Sequence, residues 1–247
     1  MEEFNEQQAG PQNSDATSIL DGVTPINAIY GQQSGPKNPD TTRILDGLAL
    51  LNAIYEQQLG PLHPDAASSL SSLADLYALQ GKYEQAERLY LRAYTIYEQQ
   101  LGPLHPDIAM SLNNLAELYT QQGKYEQAEP LYLRAHTIYE QQLGPLHPYT
   151  TYPLHGLAVL YRDQGKSAEA ESFFLRVLSM RESILGSTHP DLAETLHEFA
   201  ILRQAQGQYN EARSLYKRAL DAQTQALGPE HSRTIDTRER LAALQLH

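Results

Sequence analysis

Between Leu104 and Gly144 the apolar residues fall into two helical stripes with a glycine between them. Leu112, Leu115, Ala116, Leu118 and Tyr119 recur at spacings of three and four, which line one face of an α-helix. Pro106 suits the first turn of that helix, where its missing N–H costs nothing, and His105 or Asp107 can cap or complement the positive end of the dipole. Gly123 then stops it, because glycine reaches a left-handed C′ conformation without strain. A second stripe, Tyr125, Ala128, Leu131, Tyr132, Ala135, Ile138 and Tyr139, runs on to Leu143 before Gly144. The stretch predicts helix A, a tight turn and helix B.

The unit recurs. Gly60, Gly102, Gly144, Gly186 and Gly228 stand 42 residues apart, followed by His63-Pro64, His105-Pro106, His147-Pro148, His189-Pro190 and His231-Ser232. A fixed period of this size marks a repeat solenoid. A helices are predicted near Pro64–Gln80, Pro106–Gln122, Pro148–Gln164 and Pro190–Gln206; B helices near Tyr83–Leu101, Tyr125–Leu143, Ser167–Leu185 and Tyr209–Leu227. Small residues recur where the helices must cross closely, Ala74, Ala116, Ala158 and Ala200 on A and Ala86, Ala128, Ala170 and Ala212 on B. Large fillers recur at Tyr90, Tyr132, Phe174 and Tyr216. Small against large at fixed places specifies interdigitated packing, and one pair cannot bury both its faces, so neighbours must stack. The expected fold is all-α, an α-solenoid of antiparallel helix pairs.

The ends depart from this pattern. Residues 1–59 hold two shortened units, Gly10 to Ser34 and Gly35 to Leu59, each 25 residues long, in which the start of helix A is spliced to the end of helix B. The second predicts one helix over Pro39 to Leu59 with Ile44, Leu48, Leu51 and Tyr55 as its buried line. The first is interrupted by Gly22, Pro25 and Gly31, and proline inside a helix costs about 3 kcal/mol. Four full repeats occupy 60–231, and 232–247 predicts a single polar helix that caps the array. Pro130 should only bend the start of its helix. Pro153, with Tyr149 and Gly156, makes the third A helix the least regular.

Charge narrows the function. The chain carries a formal net charge of −12, which argues against a phosphate-backbone partner needing clustered Lys and Arg. No cysteine is present, so disulfides and thiolate sites are excluded. MEEFNEQQAG lacks the basic and apolar regions of a signal peptide, and no apolar run approaches the roughly 20 residues that cross a bilayer. The expectation is a cytoplasmic chain with no nucleic-acid or membrane partner. Metal and catalytic readings fare poorly. The recurrent histidines His63, His105, His147, His189 and His231 cannot share an ion whose donors lie about 2 Å from it, because adjacent helix axes are about 8–10 Å apart; loop capping is the simpler role. His197-Glu198 opens an H-E-x-x-H pattern that Ile201 breaks. Recurrent acids such as Glu87, Glu129 and Glu171 read as scaffold. No enzyme activity and no cofactor are expected.

HPD, SLNNLAELY, QGKYEQAEPLY and the closing LG resemble the tetratricopeptide repeat, and more narrowly its long variant in kinesin light chains and their bacterial relatives, over about Gly60 to His247. The resemblance implies a right-handed superhelix whose concave face, lined mainly by A helices, holds a peptide or a partner's helix. On that face helical geometry places Ser68, Ser72 and Asp75 in repeat one and Met110, Asn113, Asn114, Glu117 and Gln121 in repeat two. Repeat three contributes Tyr152, His155, Val159 and Arg162, and repeat four Glu194, His197, Glu198 and Ile201. These positions vary most while packing positions stay nearly fixed, as expected of a shared scaffold with a specific surface; the competing explanation is neutral drift. The family's peptide-clamping Asn survives only as Asn114, with Ser72, Gly156 and Glu198 at the equivalent places. Arg162 is the sole cation on this face, so a neutral or basic protein segment is the expected partner. The alternative function is self-association, a homodimer or head-to-tail assembly, through the irregular N-terminal segment.

Overall fold

The computed structural model describes residues 39–244, and the first shortened unit and the last three residues lie outside them. Ten α-helices and no strand occur among the described residues: α1 (Pro39–Gln58), α2 (Pro64–Leu79), α3 (Tyr83–Leu101), α4 (Pro106–Gln121), α5 (Tyr125–Leu143), α6 (Thr151–Asp163), α7 (Ser167–Leu185), α8 (Pro190–Ala205), α9 (Tyr209–Leu227) and α10 (Ser232–Ala243). The A helices are α2, α4, α6 and α8, their B partners α3, α5, α7 and α9. The chain is an all-α solenoid.

Each A helix starts by the same device. The recurrent histidine sits in extended backbone, and its Nδ1 accepts the N–H two residues on, at 3.2 Å for Asp65, 3.3 Å for Asp107, 3.2 Å for Tyr149, 3.1 Å for Asp191 and 3.3 Å for Arg233. That bond satisfies one of the orphan donors of a helix N-terminus. The histidine column is a set of caps. Helix A closes at Gly123 (φ 71°), where Gly123 N–H donates to the Thr120 carbonyl at 2.9 Å and Lys124 N–H to the Tyr119 carbonyl at 2.8 Å. This is the paired bonding of a Schellman end, and it needs the left-handed residue.

Every alanine predicted at a helix crossing is wholly buried, as are Phe174 and Tyr216. The clusters cross repeat boundaries: Ala116, Ala128 and Tyr132 of repeat two pack with Leu154, Leu157, Leu160 and Val177 of repeat three. Each pair therefore completes its core against its neighbour. Polar staples follow the same period. Tyr119 donates to Glu87 at 2.8 Å and Tyr161 to Glu129 at 2.7 Å, and at the next equivalent place Arg203 grips Glu171 at 2.6 and 2.9 Å. The recurrent glutamates hold repeats together.

Two successive pairs of A helices also touch one another, α4 with α6 and α6 with α8, and no pair of B helices does so to the same extent. The side on which successive helices approach is the inside of the curve, so the A helices line the concave wall.

Two features differ from the sequence expectation. The third A helix opens with a 3-10 turn, Pro148–Thr150, before α6 proper, where Tyr149 and Thr150 stand in place of the Asp and apolar pair of the other proline-started A helices. On α1, Ile44 and Leu51 are not a buried line but lie 36% and 37% exposed, since α1 packs chiefly on α2. Its C-terminal half takes the seat of a B helix. Arg92 pairs with Glu56 at 2.8 Å, 36 residues back in the chain, the same separation in sequence as Arg134 from Glu98 and Arg218 from Glu182, which also pair. Helix α10 spans Ser232–Ala243, and the last residues of the expected capping helix over 232–247 lie outside the described residues. Helix α5 runs unbroken through Pro130.

Candidate binding groove

The residues expected on the wall divide into an open half and a tied half. In the open half, Ser68, Met110, Glu117 and Gln121 are exposed, and Ser72, Asp75, Asn113 and Asn114 are half-buried. Asp75 accepts a short hydrogen bond from the Tyr90 hydroxyl. Its carboxyl is nonetheless pushed up to about 6, because protein crowding around it removes hydration that the phenol only partly replaces. Glu117 is pushed up to about 7 by the same desolvation, helped by the negative charges of Glu194 and Asp75 and opposed by Arg233 and Gln121. Its side chain meets solvent, yet the curled wall surrounds it with protein. Glu117 of repeat two thus feels carboxylates of repeats one and four across one concavity.

In the tied half the same positions are spent on packing. The Tyr152 hydroxyl donates to Asp191 at 2.7 Å, and its ring lies 5.3 Å from the Arg181 guanidinium. His155 stands edge-on to Phe174 with Nδ1 3.5 Å from Thr195 Oγ1, and burial, then the charge of Arg181, holds it well below the usual imidazole range. Val159 packs against the cluster around Phe174. Arg162 forms a short contact with Glu198 and a 2.8 Å pair with Asp163. Glu194 meets Arg233 at 3.3 Å. His197 is buried between Thr237 Oγ1 at 2.7 Å and Asp236 at 3.2 Å, and Ile201 packs against the cluster of Ala200, Tyr216 and Leu241.

Arg162 is therefore not the sole cation on this wall. Arg233, from α10, reaches it as well, and the sequence reading missed this because it treated the last helix only as a cap. Gly156 has its own reason. A Cβ built there would lie 2.3 Å from the Tyr132 ring, so the position that holds Asn114 one repeat earlier is filled by a buried tyrosine instead. Among the described residues no three His, Asp or Glu side chains stand where they could hold one metal ion. No described helix is long and apolar enough to cross a membrane.

Antiparallel helix pairs in register, stacked with one helix of each pair on a shared inner wall, define a helical-repeat protein of the solenoid class. The chain belongs to the tetratricopeptide repeat family, whose model matches residues 53–99, 107–183, 149–225 and 191–247. Three solved structures share the fold. BtubC (BKLC) from P. vanneervenii is 20% identical with a TM-score of 0.63, over 84% of this chain and 81% of that one. The Podosopora anserina putative kinesin light chain nearly identical TPR-like repeats are 27% identical with a TM-score of 0.57, over 81% and 93%. A single-substitution variant of those repeats is likewise 27% identical, with a TM-score of 0.59 over 81% and 92%. This is a repeat protein of the kinesin light chain-like type. No curated protein matches the chain. Tetratricopeptide repeats generally mediate protein–protein interaction, and proteins built from them bind other proteins or peptides.

Proposed function

We propose that the chain is a non-catalytic, cytoplasmic scaffold that receives an extended or helical segment of another protein along its A-helix wall, and that the segment is neutral or basic. The observation that carries this reading is the state of Asp75 and Glu117. Both carboxyls lie on the open half of the wall and both are raised for want of hydration or a partner charge. A cation from a ligand would supply that charge and keep them ionised. Selection of displayed peptides on the full chain tests it. The expected peptides carry Lys or Arg and bind at least about tenfold more weakly to Asp75→Lys/Glu117→Lys, about 1.4 kcal/mol or more. Binding that is indifferent to those changes and to Asn114→Ala refutes the reading.

A second reading, self-association through the N-terminal segment, is favoured by one observation. Leu50 is 63% exposed on α1, in line with Ile54 at 37% and near Leu51. Exposed apolar faces of this kind mark contact surfaces. Light scattering of the full chain and of Leu50→Glu/Ile54→Glu decides it: a dimer mass that falls to a monomer supports the reading, and a monomer mass for both removes it.

A further inference from the structure

Tyr97, Tyr139, Arg181 and Gln223 occupy one repeated place on the B helices, facing the junction between their own A helix and the next, and all four are buried. Arg181 shows what this junction can hold. Its guanidinium donates from Nε to Thr151 Oγ1 at 3.1 Å and from Nη1 to Thr195 Oγ1 at 2.7 Å and to the Asp191 carbonyl at 2.6 Å. The Tyr152 ring lies against it.

One repeat further on, the frame is rebuilt in part, with Ala193 in the place of Thr151 and no guanidinium. Thr237 stands for Thr195 and donates to the Arg233 carbonyl at 3.0 Å, as Thr195 does to Asp191. His197 stands for His155, its Nδ1 on Thr237 Oγ1. Glutamine is shorter than arginine, and a cavity of about 240 Å³ opens there, lined by Glu194, His197, Glu198, Gln223, Arg233 and Asp236. Gln223 is 3% exposed and its Oε1 has no hydrogen-bond partner. A buried acceptor without a donor, at the edge of an open cavity, points to a missing N–H group.

We propose that this cavity receives the guanidinium of an arginine on a partner segment, with Gln223 Oε1 as acceptor and Glu194 as countercharge, Asp236 being already held by Arg240 at 3.1 and 3.2 Å. The proposal deepens the reading of the wall as a surface for basic segments and rests on it. Glu194 takes the place of Tyr152, so a carboxylate replaces the ring face that Arg181 lies against. Burial lowers His197, so it adds no positive charge to the lining near neutral pH. Arg233 answers Glu194 at 3.3 Å with its side chain 39% exposed, and it can turn to solvent when a second cation enters. A planar fork can meet an amide oxygen and a carboxylate together, which an ammonium does less well.

The test is a titration of the full, isotopically labelled chain, read by NMR at the Gln223 side-chain amide and at the amides of α8 and α10. The probes are N-acetyl-arginine methylamide, N-acetyl-lysine methylamide, free arginine and sodium chloride at matched ionic strength. The capped arginine should give saturable shifts at least about tenfold tighter than the capped lysine. Gln223→Arg, which fills the cavity with the chain's own guanidinium, should abolish them and raise Tm. Gln223→Leu removes the acceptor at similar volume and should abolish them too, which keeps the test decisive should Gln223→Arg not fold. No saturable shift, equal shifts with lysine or salt, or shifts retained in either variant overturn the site. Free arginine binding as tightly as the capped form overturns the assignment to a partner segment. Selected peptides that bind wild type and Gln223→Arg alike overturn this site while the wall's role stands; their response to the Asp75/Glu117 changes judges the wall separately.

Discussion

Gly156 offers the sharpest test of how the repeats meet. In an exposed helix, Gly→Ala stabilises by about 1 kcal/mol. Here the new Cβ would lie 2.3 Å from Tyr132 Cε1, 2.4 Å from Cζ and 2.8 Å from the hydroxyl oxygen. Carbon atoms in contact sit about 3.5–4.0 Å apart, so the ring or the helix must retreat by about 1.2 Å or more. Tyr132 is only 2% exposed and packed with Ala116, Ala128 and Leu157, so nothing nearby is free to yield. Overpacking of this kind costs about 1–3 kcal/mol, which outweighs the helical gain. Gly156→Ala should therefore destabilise by about 1–2 kcal/mol, lowering Tm by roughly 2–8 °C in a chain of this size. Gly47 is the control, because it is helical and a Cβ there meets nothing within 4 Å; Gly47→Ala should stabilise. Urea unfolding followed by far-UV circular dichroism gives both numbers. In a Tyr132→Leu background the penalty at 156 should vanish, leaving a coupling of about 1 kcal/mol or more. A neutral or stabilising Gly156→Ala, or a penalty that survives loss of the ring, would refute the close approach.

Other consequences are as direct. The raised Glu117 favours folding below its unfolded pKa, and that contribution is lost as pH rises through about 7; Glu117→Gln should thus stabilise at pH 8 and change little at pH 4 in parallel urea melts. His155 has the opposite sign. Held neutral by burial, it leaves the unfolded chain to take up the proton, so its contribution is present above about pH 6.5 and lost as pH falls, and His155→Phe should flatten that limb of the stability profile. Arg203 is 8% exposed, bidentate on Glu171, 3.0 Å from Glu211 and set over the Phe199 ring. Arg203→Ala should cost about 1–3 kcal/mol. It should also erase the loss of stability on acidification that Glu171 contributes, since Arg203 holds that carboxyl below its usual range.

What the linear pattern determined is everything that recurs. The caps, the glycine stops, the buried alanines and the aromatic fillers each answer a local need, a helix end to satisfy or a crossing to fit, and the same need returns every 42 residues. The column of glutamates could be assigned to the scaffold for that reason, although the tyrosine partners of Glu87 and Glu129 emerged only with the fold. The wall residues were found as positions, but their fate was not legible. Met110 and Glu117 stay open while His197 and Ile201 are absorbed, because exposure depends on which side chain the next repeat brings across the junction. Tyr132 against Gly156 and Arg233 against Glu194 are encounters between residues 24 or more apart in the chain, and the room beside Gln223 is enclosed by side chains from three different helices. No periodicity within one helix encodes them, and only the stacking of one pair upon the next decides how much space each side chain has.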